Sequence, residues 1–554
     1  MSLSFAPRPS QSRILEYSGG MLGVAAVPGS GKTHTLSALA AQLIAQGRLA
    51  AGQEVLIVTL VNSAVDNFTA RLLKFAGDMD LIPDLGYRVR TLHGLAHDIV
   101  RENPPLAGLD KQFTIVDDVA SSAMIREAAR KWTQAHPEIR DAYVRGDLTE
   151  SRYADIGEKH WPELIENVGA NFIRSAKDRR LSPWTLETAQ AEQPVELALA
   201  RMGAEIYAAY QQDLTYRGAV DFDDLIRLAA DMLDQSPDLL ERLRFRWPYI
   251  LEDEAQDSSL LQQQILSALA GPGGNWVRMG DPNQAIFETF TTANPELLRE
   301  FIRVNPNVPM PESGRCQPAI IALANQLITW TASSHPVRAV RSALAEPLIR
   351  PAPAGDPQPN PPDDPAGISF IGDALTPDQE IQLVVKSLQQ WLPDHRQMTV
   401  AVLAATNDHA ANMVKALQSR NIDCLELLRS TSPTRAVAGS ISHILACLSD
   451  PASAAKLSKA YRVWRRDWRG NKDRERLLRD VASYLSRIRR LEGYLAPAVV
   501  PASPVVGDDA AALGSNPEEL LEFRAELEAF RGTALRWHQA TVLPVDQLIL
   551  TITQ

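Results

Sequence analysis

Ala26-Val27-Pro28-Gly29-Ser30-Gly31-Lys32-Thr33 lies between an apolar, β-rich run (Gly20–Val27) and a helix-patterned segment (His34–Gln46). Binding a phosphate takes several backbone N–H groups pointing into one hollow. Gly29 and Gly31 permit that curled backbone, and the following helix adds the positive end of its dipole. In such a loop Lys32 reaches the β- and γ-phosphates of a nucleotide, and the Thr33 hydroxyl is a ligand for Mg²⁺. The candidate nucleotide contacts are Ala26, Pro28, Gly29, Ser30, Gly31, Lys32, Thr33 and Thr35. Ala26 stands where a glycine usually opens the pattern, which leaves the mechanics of the loop intact.

Further short apolar runs, Glu54–Leu60, Tyr87–Leu92, Pro248–Leu251 and Trp276–Met279, are each followed by a turn or a helix-like segment. Short strands alternating with helices predict an α/β fold, a buried parallel sheet covered by helices on both faces. Tyr249-Ile250-Leu251-Glu252-Asp253-Glu254 ends one strand in two carboxylates, at the edge of a parallel sheet where ligands bind. Asp253 is the candidate magnesium residue with Thr33, and Glu254 the candidate base that orients or deprotonates an attacking water. On its own the acidic pair reads better as a cap for a helix starting near Ser258. The upstream glycine loop favours the chemical reading.

Composition narrows the class. The 554 residues are too many for one core, and 45% apolar with 22% charged residues is ordinary globular usage. Cys316, Cys424 and Cys447 are too few for a four-thiolate site and form no disulfide framework. No apolar run reaches the roughly 20 residues needed to span a bilayer. No signal peptide is evident at the start, so an intracellular, cytoplasmic location and no membrane partner are expected. The formal charge of −11 argues against indiscriminate coating of nucleic acid but leaves room for a local basic groove. A GTPase base reader fails at its fourth position in Asn471-Lys472-Asp473-Arg474, and no transporter-type Leu-Ser-Gly-Gly-Gln is present.

Gly280-Asp281-Pro282-Asn283-Gln284-Ala285-Ile286-Phe287 resembles the third motif of UvrD/Rep-type superfamily 1 helicases, and other motifs of that family lie around it in the family's order. Gln11 resembles the adenine-reading glutamine. Val58-Thr59-Leu60-Val61-Asn62 is similar to motif Ia, and Thr91-Leu92-His93-Gly94 to motif Ib. Asp221-Phe222-Asp223-Asp224-Leu225 resembles the segment before the acidic motif, and Glu312-Ser313-Gly314-Arg315-Cys316 resembles motif IV. The resemblance covers Gln11 to about Asn325. It implies a motor of two RecA-like domains with ATP and Mg²⁺ between them, moving 3′ to 5′ on single-stranded DNA, unwinding at single-strand/duplex junctions, and serving repair or recombination. It also implies that Glu254, Gln284 and Arg315 act on the γ-phosphate, and that Thr59, Asn62, Thr91 and His93 touch DNA. Phe287 or Phe290 would stand in for the family's base-stacking tryptophan.

The same reading sets the domain expectations: a first RecA-like domain over residues 1–104 and 205–330, and a helical insertion over 105–204. An incomplete second RecA-like domain is expected over 331–440, with a proline-rich connector at 351–367, and a second helical insertion over 441–554. Within 331–440, strands are expected at Met398–Leu403 and Cys424–Leu428. Gly314 departs from the family's tyrosine. Motifs V and VI are not found, so the isolated chain is expected to bind ATP–Mg²⁺ and hydrolyse it poorly, with a second polypeptide as one source of the missing motifs. The alternative function is an ATP-gated DNA-binding or scaffold subunit. From Lys456 to Arg490, 13 basic residues face 4 acidic ones, with Tyr461, Trp464, Trp468 and Tyr484 among them. Two readings stay open there, a duplex-contacting surface or solvated helices with aromatics in a core.

Overall fold

A computed structural model describes residues 5–79, 82, 85–143, 149, 153, 156–192, 197–285, 292–426, 432–450, 452–468, 472–488, 494 and 517–541. The chain divides into two compact units, Met1–Phe370 and Ile371–Gln554.

The first unit is mixed α/β around a five-stranded, wholly parallel sheet. Its strands are β1 (Met21–Ala25), β2 (Val55–Thr59), β3 (Tyr87–Thr91), β6 (Tyr249–Glu252) and β7 (Asn275–Gly280), in the order β1-β7-β6-β2-β3. Two short parallel pairs complete the strands: β4 (Thr114–Ile115) with β5 (Ala219–Val220), and β8 (Glu312–Ser313) with β9 (Arg350–Pro351). The central strands read as continuous apolar runs because both faces are covered. Val55, Ile57, Leu251, Val277 and Met279 pack into one core, while Leu56, Val58, Ile250 and Trp276 pack into the core on the other side. Four helices flank the early strands: α1 (Pro9–Leu15), α2 (Lys32–Ala45), α3 (Asn62–Asp78) and α4 (Leu92–Glu102).

Between β4 and β5 the chain is helical, with a core of its own that includes Trp132, Trp161, Ile173, Tyr207 and Tyr210. This layer is fastened to the sheet unit by a buried ion cluster. Lys177, fully buried, lies 2.6 Å from Asp221 and 3.0 Å from Asp224, and the Tyr210 hydroxyl donates to Asp221 at 2.7 Å. Asp221 also caps the helix Phe222–Gln235, accepting from the Asp224 N–H.

The proline-rich stretch, readable as a connector or as a long surface loop, runs along the surface. Residues 351–367 form a strap docked on the first unit. Asp356 pairs with Arg8 at 2.7 Å, both side chains being over nine-tenths buried. Asn360 donates to the Ser313 and Cys316 carbonyls, and Asp363 accepts from the Ala319 N–H. Prolines lower the entropy lost on ordering such a segment, and the interspersed Asp and Asn residues anchor it.

In the second unit, helices Pro377–Trp391 and Asn407–Ser419 pack together through Ile381, Val385, Met413 and Leu417. The strand expected at Met398–Leu403 is instead irregular chain without a ladder, and Val400 and Leu403 are exposed. A strand requires a hydrogen-bonded neighbour, and none of the described segments supplies one. Residues 422–426 are likewise outside any strand; the expected strand's last two positions, 427 and 428, lie outside the described residues. The basic stretch places its aromatics inward. Tyr461 is fully buried, Trp464, Trp468 and Tyr484 pack on the same core, and Arg465 is paired with Glu526 at 2.6 Å. Core packing accounts for these aromatics. No described helix is long and apolar enough to cross a membrane.

Candidate nucleotide site

The carboxyl ends of the five strands lie side by side, and each candidate motif follows one of them. β1 leads into the glycine loop, and β7, its hydrogen-bonded neighbour, into Asp281–Gln284. β6 leads into Asp253–Asp257, β2 into Asn62 and β3 into His93.

The glycine loop turns on Gly29 (φ +76°) and Gly31 (φ +88°), values that side chains resist. Gly31 is the N-cap of α2, so Lys32 and Thr33 begin a 14-residue helix whose free N–H groups face the loop. Around these the structure brings together most of the expected residues. The Lys32 ammonium is 2.8 Å from Glu254 Oε2, and the Thr33 hydroxyl donates to Asp253 Oδ2 at 3.1 Å. Arg315 packs over the loop, where a Cβ on Gly29 would collide with its Cβ and with the Ser313 hydroxyl.

Electrostatics follow from this crowding. Burial, and then the neighbouring Glu254, push the Asp253 carboxyl up to about 6. Burial also raises Glu254, but the Lys32 ammonium, the Gln256 amide and Arg315 together outweigh it and hold that carboxyl below its usual range. Asp257 is pushed up to about 6 by burial and by Glu254. Asp253 Oδ1 is buried with no partner while Oδ2 is held by Thr33, so one carboxylate lone-pair face remains for a cation. A hard divalent ion suits these oxygens. Among the described residues no group of three or more His, Cys, Asp or Glu could hold a metal alone. Magnesium would therefore arrive with phosphate oxygens and use Thr33 and Asp253 as its protein side.

Other expected residues stand elsewhere or are otherwise engaged. The Gln11 amide donates to the Ser30 carbonyl at 3.1 Å and accepts from the Arg8 N–H at 2.9 Å, bracing the loop. The Thr35 hydroxyl bonds back to the Gly31 carbonyl within α2, Ala26 is fully buried, and Pro28 and Ser30 are loop positions. Gln284 donates to Asp281 at 2.8 Å. Thr91 caps α4, accepting from the Gly94 N–H, whereas Asn62 is exposed at the start of α3. Thr59 and His93 line, with Asp253, Glu254 and Asp257, a cavity of about 10 Å³, room for about one water molecule. Burial lowers the His93 pKa, and its ring meets Phe222 edge-on. Phe287 and Phe290 lie outside the described residues.

Three participants escaped the sequence reading. Arg8 donates to the Gly29 and Glu312 carbonyls while paired with Asp356. At Gly314 a Cβ would overlap the Gln358 carbonyl and the Arg8 guanidinium, so strap and arginine account for the glycine there. Gln256, buried between Glu254 and Asp281, lies two residues past the acidic pair and was not among the candidates.

Comparison with known proteins identifies a family. Residues 8–305 match the UvrD/REP helicase N-terminal domain. Over 321 residues the chain is 29% identical to an ATP-dependent DNA helicase PcrA of Leuconostoc citreum, covering 57% of this chain and 38% of that protein. A PcrA of Staphylococcus aureus is 26% identical over 50% of this chain and 33% of its own length. An ATP-dependent DNA helicase UvrD1 of Mycobacterium bovis is 26% identical over 62% of this chain and 41% of its own. The chain thus spans well under half the length of each of these relatives.

Proposed function

The chain belongs to the UvrD/Rep helicase family through its N-terminal domain, and we propose that it binds ATP–Mg²⁺ as the first, RecA-like half of a DNA-translocating motor acting on single-stranded DNA and junctions. The observation that carries this reading is the convergence of Lys32 on Glu254 and of Thr33 on Asp253 at neighbouring strand ends. A γ-phosphate at the loop exchanges for Glu254 as the partner of Lys32, because both are anions competing for one ammonium. That exchange frees the Glu254 carboxylate to orient and deprotonate a water. Thr33 and Asp253 would hold a magnesium ion, which would supply positive charge against the phosphate oxygens. Arg315, beside the loop, adds positive charge on the same side, and Gln284 senses the terminal phosphate. Thr59, Asn62, Thr91, His93, Phe287 and Phe290 form the DNA side. Travel from 3′ to 5′ and a role in repair or recombination belong to the same proposal.

The test is binding of a fluorescent ATP analogue with Mg²⁺, followed by turnover with and without single-stranded DNA. Lys32→Ala is expected to weaken nucleotide binding at least about 30-fold, the smallest loss implied by about 2 kcal/mol for one partner of a buried charge pair. Equal affinity in wild type and Lys32→Ala overturns the proposal. Nucleotide-dependent DNA binding without any turnover reduces it to an ATP-gated DNA-binding subunit.

A further inference from the structure

Gln256 joins two parts of the site that the backbone leaves separate. Only 2% exposed, it donates from its amide nitrogen to Glu254 Oε2 at 2.9 Å and to Asp257 Oδ2 at 3.0 Å. Its Oε1 accepts the Asp281 backbone N–H at 2.9 Å. Asp281 organises the next turn, accepting from the Asn283 N–H at 2.9 Å and the Gln284 amide at 2.8 Å. An unbroken chain of polar contacts therefore runs Lys32–Glu254–Gln256–Asp281–Gln284 across the boundary between β6 and β7.

An amide is the side chain this position requires. It must present donors to two carboxylates and an acceptor to a backbone N–H from one rigid plane, which neither a carboxylate nor an ammonium can do. Gly280 is part of the same fit, since a Cβ there would overlap Gln256 Oε1 and the Leu298 side chain. Asp257 is buried and Glu254 half-buried, and both share the one amide nitrogen, so a change of partner at Glu254 alters what the amide must satisfy and is felt at Asp281.

We propose that Gln256 is a positioning residue that transmits the state of the nucleotide site to the Asp281–Gln284 turn and thereby sets the coupling between nucleotide binding and single-stranded-DNA binding. This rests on the proposed function. When the γ-phosphate takes Lys32 from Glu254, the released carboxylate shifts against the amide, and the amide plane carries the shift to the Asp281 N–H. The turn immediately precedes, in sequence, Phe287 and Phe290, which are among the residues proposed for the DNA side.

The experiment measures the affinity of the 554-residue chain for fluorescein-labelled oligo-dT by anisotropy, with and without saturating Mg²⁺–AMP-PNP, and mant-ATP affinity separately. The ratio of the two DNA affinities is the coupling factor, expected in wild type to be at least about fivefold. Gln256→Ala is expected to bring it below about twofold, with mant-ATP affinity and nucleotide-free DNA affinity each within about threefold of wild type. Gly280→Ala, which keeps Gln256 but displaces it, is expected to do the same. The double variant is expected to add nothing further, as for two breaks in one link. Wild-type coupling in Gln256→Ala or in Gly280→Ala overturns the inference, as does a wild-type ratio of one with nucleotide binding intact. Failure of the wild type to bind mant-ATP strikes the underlying proposal instead.

Discussion

Glu254 adopts φ +54°, a left-handed conformation that non-glycine residues seldom hold. Such a backbone costs on the order of 1 kcal/mol or more and persists only where surroundings over-determine it. Here the surroundings are Lys32 and Gln256, both bonded to the same carboxylate oxygen. A second unfavourable residue lies at the junction with the helical layer. Burial, and then Asp221, push the Asp223 carboxyl up to about 6. A raised carboxyl pKa means that the folded state holds the proton more tightly than the unfolded chain. Stability is thus expected to fall as pH rises from about 4 to about 6, and the penalty is in full force above that window. Asp223→Asn should therefore raise stability at pH 7, by up to about 3 kcal/mol, and change little near pH 4. Urea melts at the two pH values check this, and equal effects at both would refute the assignment. Lys32, Thr33, Asp253 and Glu254 were legible in the sequence because their chemistry lies in short local patterns. Arg8 and Asp356 were not, being 348 positions apart and meeting only in the fold.

Among elements, the inner strands of the main sheet were readable because burial on both faces makes each a short apolar run, whereas edge strand β3 is only half-buried around Val89. The two-residue pairs β4–β5 and β8–β9 carry too little pattern to be read. Met398–Leu403 shows the converse failure, since an apolar alternation says nothing about whether a ladder partner exists. The strap was recognised by its prolines, but its docking depends on Asp356, Asn360 and Asp363, whose partners lie far away in the chain. The join between the helical layer and the sheet is likewise invisible locally. Lys177 there is fully buried against Asp221 and Asp224, and removing it strands two buried carboxylates. Lys177→Met is expected to cost about 3–5 kcal/mol of stability. Chemical denaturation would show it, and a loss below about 1 kcal/mol would mean that the cluster is not the fastening it resembles.

At the scale of the molecule, sheet order arranges the chemistry. Along the carboxyl edge come the phosphate loop after β1, the Gln284 turn after β7, the acidic residues after β6, and then the residues proposed to face DNA after β2 and β3. The acidic motif therefore stands between the proposed nucleotide and DNA sides, which is where a coupling element is needed. This order could not be read from the sequence, because strands that are neighbours in space are far apart in the chain. Every described candidate side chain of the nucleotide site lies within Met1–Phe370. Residues 1–370 expressed alone are expected to bind the ATP analogue within about threefold of the full chain, as a unit with its own core should. Loss of binding in that fragment would show that the second unit completes the pocket. The most direct measurement is calorimetric titration of an ATP analogue with and without Mg²⁺ into wild type and Asp253→Ala. If Thr33 and Asp253 hold the ion that accompanies the phosphates, magnesium tightens binding to wild type and does little for Asp253→Ala. An equal magnesium effect in both proteins would contradict the account.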